Sequence, residues 1–272
     1  MTAWVIACDA VTDLRRRWVL IGLVIAAVLI CLYFIGTLAM LRRAMGSPAF
    51  KIPSPTANAP TTRQTLDLMT SGIQTALYGS ISFFGALAAL FTFCTFLSAE
   101  QGRRTLRIVL SKPVRRYQFL LGKWLGGVML LAMYCLIMSV VLLGNAYLAS
   151  GAVTIALCYS LGLLFCKLVL VGSVAMVVSL LMPPPVAGIL AYFAGAESFF
   201  WMARHIGTPI KEMLLAIYWI LPSYSRFNLY SQFFTNTTIS GRETLLLAAY
   251  AAVYCAILLW LALVFLRRRD LA

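Results

Sequence analysis

Hydrophobic positions along the chain fall in long unbroken runs. They show neither the alternation of a half-buried strand nor the three-to-four spacing of a surface helix. A helix rising 1.5 Å per residue needs about 20 apolar residues to cross a hydrocarbon core about 30 Å thick. Six runs reach or approach that length: residues 18–41, 73–97, 124–148, 153–182, 186–203 and 244–266, the fifth being the shortest. The pattern predicts an all-α membrane protein of six transmembrane helices forming one domain over 1–272, since a helix satisfies its backbone polar groups internally. Two longer segments separate the runs on one side. Residues 42–72 carry Pro48, Pro53, Pro55 and Pro60 with many Ser, Thr and Ala, and are expected as an extended external connector. In the second, 204–243, the apolar stretch 213–221 is stopped by Pro222 and is too short to cross. It is expected as an interfacial or re-entrant element, with Tyr218, Trp219 and Tyr224 at headgroup depth.

Composition strengthens this picture. The 272 residues are 62% hydrophobic and 11% charged, with mean hydropathy +0.92, too little polar surface to hold a domain in water. Lys and Arg number 22 against 8 Asp and Glu, a net +14. In a soluble chain that excess would point to nucleic acid; here it reads first as a topology signal. With the N-terminus inside, thirteen basic residues fall on the inner face, eight on the outer, and Lys167 within a span. Both termini are therefore expected in the cytoplasm. Arg15, Arg16 and Arg17 precede a first run that lacks the cleavage pattern of a removable signal, so it is expected to remain as a span. Cys31, Cys94, Cys135, Cys158, Cys166 and Cys255 lie in apolar runs and Cys8 near the N-terminus, which leaves no external pair for a disulfide-stapled fold.

The longest inner segment, 98–123, joins the second and third runs. From Glu100 to Leu110, Leu106, Val109 and Leu110 face one way and Arg103, Arg104 and Arg107 another, predicting a short amphipathic helix. Pro113 ends it. Having no N–H and a fixed φ, the same proline can open the next helix, which runs through Phe119 and Leu120 into the third span. The expected product is a short helix under the inner leaflet, an elbow and a rigid spanning rod. Near the N-terminus, Trp4, Cys8, Val11 and Trp18 recur at helical spacing, predicting an amphipathic elbow helix before the first span.

Glu100, Thr105-Leu106, Pro113-Val114-Arg115-Arg116 and Gly122-Lys123 resemble, in order and spacing, the motif of the membrane subunit of ATP-binding-cassette (ABC) transporters of the type-2 export permease family. Arg104 stands where that family usually has glycine. The resemblance implies a permease with a cytoplasmic coupling helix, in which Glu100, Arg103, Arg104, Arg107, Pro113, Arg115 and Arg116 meet a separate ATPase subunit. It implies homodimeric or heterodimeric pairing with a second permease chain, and a place in a cell membrane, inner or plasma and bacterial, in contact with lipid and not with nucleic acid. No cofactor is expected in this chain; ATP and Mg would be held by the partner ATPase. In line with that, Gly122-Lys123 is followed by Trp124 and has Tyr117 where a phosphate-binding loop needs its first glycine. Gly122 and Gly126, one turn apart, are candidates for close helix packing.

Lys167 and Glu197 are the charged residues of the fourth and fifth runs, about 14 and 12 residues from their shared hairpin and hence at similar depth. A charge at mid-bilayer costs about 2.5–3.5 kcal/mol on insertion scales, which an ion pair or an aqueous path would offset. An intramembrane pair that fixes packing or lines the pathway is expected, and the same two residues support the alternative of an ion-coupled secondary transporter. The run Met182-Pro183-Pro184-Pro185 predicts a stiff hairpin between these spans. Met129 and Met133 are expected in the core and His205 has no partner at ligand spacing, so no metal site is expected. No H-E-x-x-H or G-x-S-x-G occurs, which argues against an intramembrane enzyme and for a permease that performs no bond chemistry.

Overall fold

The structure is a computed structural model that describes residues 22, 25, 27–29, 32–37, 40, 43, 62–102, 116–150, 155–194, 221–228 and 241–269. Five helices dominate: α1 Thr62–Gly102, α2 Arg116–Ser150, α3 Ile155–Leu181, α4 Pro184–Phe193 and α5 Gly241–Arg269, with a 3-10 turn at Ser225–Phe227. Among the described residues there is no strand. Four helices contain stretches long and apolar enough to cross a membrane: Ser71–Thr95, Tyr117–Tyr147, Leu157–Leu181 and Gly241–Leu266. They correspond to the second, third, fourth and sixth predicted spans. Of two shorter apolar helices, Ala27–Thr37 falls within the first predicted span and Pro184–Phe193 overlaps the start of the fifth.

Boundaries depart from expectation where the sequence lacks a breaker. The connector expected over 42–72 yields to helix from Thr62, because its last proline is Pro60 and nothing after it interrupts a helix. At its other end α1 continues past the predicted span to Gly102, so Glu100 belongs to the last turn of that long rod instead of opening a separate short helix. Neither Gly nor Pro lies between Leu97 and Gln101 to stop it. The third span behaves as predicted and continues unbroken from Arg116. Only Met182 and Pro183 separate α3 from α4, since Pro184 and Pro185 occupy the first helical turn, where a missing N–H has no intrahelical partner to lose.

The helices alternate in direction, and α3 is their hub. Tyr78 meets Ser160 and Cys94 meets Ala175, so α1 and α3 run the same way. α5 runs with them, through Gly241 beside Tyr159 and Ser173 beside Cys255. α2 and α4 run oppositely, Tyr134 meeting Ile81 and Tyr192 meeting Phe83. Two-thirds of the apolar windows of α1 and α3 are buried, against 33% for α2 and 17% for α5. The last two therefore turn much of their surface, including Met133, Leu136, Val140 and Trp260, away from the bundle.

Lipid tails are as apolar as leucine, so spanning helices associate through close packing and interhelical hydrogen bonds. Both are present. The Phe93 ring of α1 is wholly buried between Gly127 of α2 and Gly172 of α3. A Cβ built on either glycine would lie 2.5 Å from the ring. Tyr134 donates to the carbonyl of Ile81 at 2.8 Å, joining α2 to α1, and Trp124 Nε1 donates to Ser173 Oγ at 3.0 Å, joining α2 to α3. Gly122 and Gly126 are both buried on α2, and Gly127 is the neighbour that receives Phe93. Asn145, 1% exposed near the far end of α2, has neither amide atom hydrogen-bonded.

Gly172→Ala should lower thermal stability in detergent by about 1–3 kcal/mol, because the Phe93 ring must move, while Gly79→Ala and Gly162→Ala, with open space at their Cβ positions, should not show this clash. Asn145→Leu should instead raise stability by about 1–3 kcal/mol, the desolvation penalty of an unpaired amide. A fall in the melting temperature would contradict that account.

Candidate functional site

Half-way along α3, twelve residues from Ile155 and fourteen from Leu181, the half-buried Lys167 stands in an otherwise apolar stretch. Its Nζ donates to Ser82 Oγ of α1 and to Asn228 Oδ1 of the segment before α5, both at 2.9 Å. One ammonium thus ties together two helices and a loop. Hydroxyl and amide oxygens suit it because each offers a lone pair to an ammonium set in an apolar helix.

Asn228 reaches this depth because the segment ending in it folds into the bundle. Pro222, Ser223 and Tyr224 are buried and Phe227 is wholly enclosed. The Tyr224 hydroxyl donates to the Ala191 carbonyl of α4 at 3.5 Å, and Phe227 packs on Tyr250 of α5. Of the apolar stretch 213–221, only Leu221 lies within the described residues. Tyr224 is 9% exposed and packs against α4, where the phenol finds a backbone acceptor. Tyr218 and Trp219 lie outside the described residues.

Beside this polar centre, α1 and α4 enclose an apolar slot of about 510 Å³. Its walls run from Phe83 to Thr95 on α1 and from Pro184 to Phe193 on α4. The prolines of the hairpin form one end, and Phe83, Tyr192 and Phe193 form the other. Gly188 and Cys94 face each other across it, a Cβ built on Gly188 lying 3.9 Å from the thiol sulfur. Phe83, Phe91, Ile189 and Phe193 are about half exposed, so the slot opens sideways on the surface of the bundle.

Of the residues singled out in the sequence, Lys167 is seen with Ser82 and Asn228, and Lys123 lies with its Nζ 5.9 Å from the centre of the Phe119 ring. Glu100 lies in the last turn of α1 and Arg116 begins α2. Arg103, Arg104, Arg107, Pro113 and Arg115 lie outside the described residues, as does Glu197, the expected partner of Lys167. Ser82 and Asn228 escaped the sequence reading. They are 85 and 61 positions from Lys167, and no local spacing links them to it. The only available signal was a hydroxyl within a span and an amide shortly after Pro222. Among the described residues no group of three or more His, Cys, Asp or Glu side chains is placed to hold a metal.

Asn228→Leu should lower thermal stability by about 1.5–3 kcal/mol, the range for a hydrogen bond to a charged group, and more than Asn228→Gln, which retains an acceptor. Equal melting temperatures for wild type and the leucine variant would show that the Lys167–Asn228 contact does not hold the segment in place.

No curated protein matches the chain. A family model described as ABC-2 family transporter protein matches residues 4–271, a span that includes every helix described above. The chain is a multi-pass membrane protein and belongs to the ABC-2 transporter family.

Proposed function

We propose that this chain is the transmembrane subunit of an ABC-type exporter, driven by a separate ATPase subunit that binds ATP and Mg. The observation that carries the reading is mechanical. Helices α1 and α2 each run without a break from the basic stretch between them into the Phe93–Gly127–Gly172 contact. A force applied around residues 103–115 therefore enters the packed core through two rigid rods. Glu100 on the last turn of α1 and Arg116 on the first of α2 stand at the points of entry.

In this reading Glu100, Arg103, Arg104, Arg107, Pro113, Arg115 and Arg116 form the coupling surface on the cytoplasmic side of a bacterial cell membrane, and six spans place both termini on that side. Glu100 is the preferred contact, because a carboxylate beneath an anionic leaflet is unfavourable unless an arginine or a partner protein faces it. The substrate pathway lies along the slot between α1 and α4, completed by a second permease chain, identical or homologous. Gly122 and Gly126 give α2 a small-residue face for helix packing. Lys167, with Glu197 as its intramembrane partner, stands beside the path.

A tagged full-length chain should bring down an ATPase from its native membrane, and Glu100→Lys should reduce the associated ATP hydrolysis by about ten-fold, the scale of removing one partner of an interfacial charge pair. A chain that isolates without any ATPase, or an ATPase indifferent to the charge reversal, would contradict the proposal. Cysteine labelling at position 107 supplies the topological check: modification from the outer side of intact cells is incompatible with it.

A further inference from the structure

We infer that the slot between α1 and α4 is a binding site for one hydrocarbon chain of an amphiphile drawn from the bilayer, whose polar head stays outside the slot. The inference deepens the exporter reading, on which it rests for the slot's place in a transport path. The two walls are helix faces that run in opposite directions. Phe83, Leu87, Leu90 and Cys94 share one face of α1, and Gly188 and Tyr192 share one face of α4. Leu90 and Cys94 are buried and form the floor, whereas Phe83, Phe91 and Ile189 are exposed and form the rim. Gly188 keeps the middle open, since a Cβ built there meets only the Cys94 sulfur, at 3.9 Å. At about 510 Å³ the slot falls in the range of ligand pockets.

The lining chemistry selects the occupant. No side chain in it carries a charge. The Thr95 hydroxyl is turned back on its own helix, donating to the Phe91 carbonyl at 2.6 Å. A helix N-terminus ordinarily presents free N–H groups to an anion, but α4 opens with Pro184 and Pro185 directly after Pro183. Proline has no N–H, so the residues that close this end of the slot offer no backbone donor. A polar or charged ligand would lose its hydration there with no hydrogen bond in return, a cost that a hydrocarbon chain does not meet. From Phe83 to Thr95 the slot follows α1 for twelve residues, about 18 Å, against about 15 Å for half of a hydrocarbon core about 30 Å thick. A chain lying along α1 is thus held over the length of one leaflet. The exposed rim opens on the side of a bundle of membrane-spanning helices, where hydrocarbon tails are the surrounding medium, so the chain enters laterally.

The purified full-length chain, incubated with oleoyl lysophosphatidylcholine or with glycerophosphocholine, the same headgroup without a chain, and examined by native mass spectrometry, provides the test. The wild type should retain the lysolipid, and excess glycerophosphocholine should neither bind nor displace it. Gly188→Leu, whose side chain enters the slot, should lower retention about ten-fold, equivalent to about 1.4 kcal/mol. Ile189→Trp, at the exposed rim, should lower it as well and decides the question if Gly188→Leu fails to fold. Gly79→Leu, in open space on α1 away from the slot, should leave retention unchanged. Retention that survives both slot variants, or displacement by glycerophosphocholine, would overturn the inference. So would a wild type that retains no lysolipid and forms a dimer that Ile189→Trp dissociates, because a second copy would then fill the slot. Material carried over from the native membrane distinguishes the sources: a phospholipid mass identifies a membrane lipid, another alkyl-bearing mass a dedicated cargo, and a slot-bound species without an alkyl chain would overturn the inference. No ATPase is present in this measurement, so a negative result leaves the coupling experiment standing, and a chain without an ATPase partner leaves the binding result standing.

Discussion

One aromatic ring seated against two glycines is the contact on which the rest of the bundle depends. Phe93 of α1 lies against both α2 and α3, and it fits because Gly127 and Gly172 have no side chain there. In water such a contact would be one of many, since burial of apolar surface would itself hold the helices together. In a bilayer that drive is missing, and close approach with interhelical hydrogen bonds takes its place. Gly85 repeats the arrangement nearer the other end of α1, where a Cβ would meet Leu168 of α3 and Tyr134 of α2. The three helices are thus fixed at two levels. Those levels set the alignment of Tyr134 with Ile81 and of Lys167 with Ser82.

Around that frame polarity is rationed and placed. Ser173 of α3 returns its hydroxyl to the Val169 carbonyl at 2.8 Å, accepts from Trp124 of α2 and lies 3.5 Å from the Cys255 sulfur of α5. One small side chain therefore connects three helices, and the helix backbone satisfies its remaining demand. Lys167 performs the same task with a charge, which makes it more costly and more informative. A leucine there would pack; an ammonium draws in the segment ending in Asn228. Ser82 and Ala191, which hold that segment through Lys167 and Tyr224, directly precede Phe83 and Tyr192 of the slot's lining. A movement of α1 against α4 would alter both the slot and the Ser82 contact, which links the mechanical reading of α1 and α2 to the interior of the bundle.

Much of the architecture was legible because membrane helices announce themselves by length. The second, third, fourth and sixth spans required only counting apolar residues against bilayer thickness, and the Pro183-Pro184-Pro185 hairpin followed from the ring that fixes φ. Helix ends were less legible. Residues 62–72 and 98–102 are polar, so hydropathy assigned them to loops, whereas a helix once nucleated continues until a breaker stops it. The partner of Tyr224 was hidden for a related reason. An amphipathic ring signals a boundary between apolar and polar surroundings, and the polar partner of its hydroxyl is a backbone carbonyl of α4, which no local spacing announces.

By itself the sequence determined that the chain spans a membrane, where most spans lie, and that the basic stretch between α1 and α2 resembles the coupling motif of a transporter family. These properties are local, written in consecutive residues and in the solvent each can tolerate. Only the tertiary structure decided which glycines receive Phe93, which oxygens solvate Lys167, and that α1 and α4 leave a slot between them. Those outcomes depend on residues up to 85 positions apart meeting at a particular rotation of each helix. That rotation is set by the packing of all the helices together, and no single run of residues contains it.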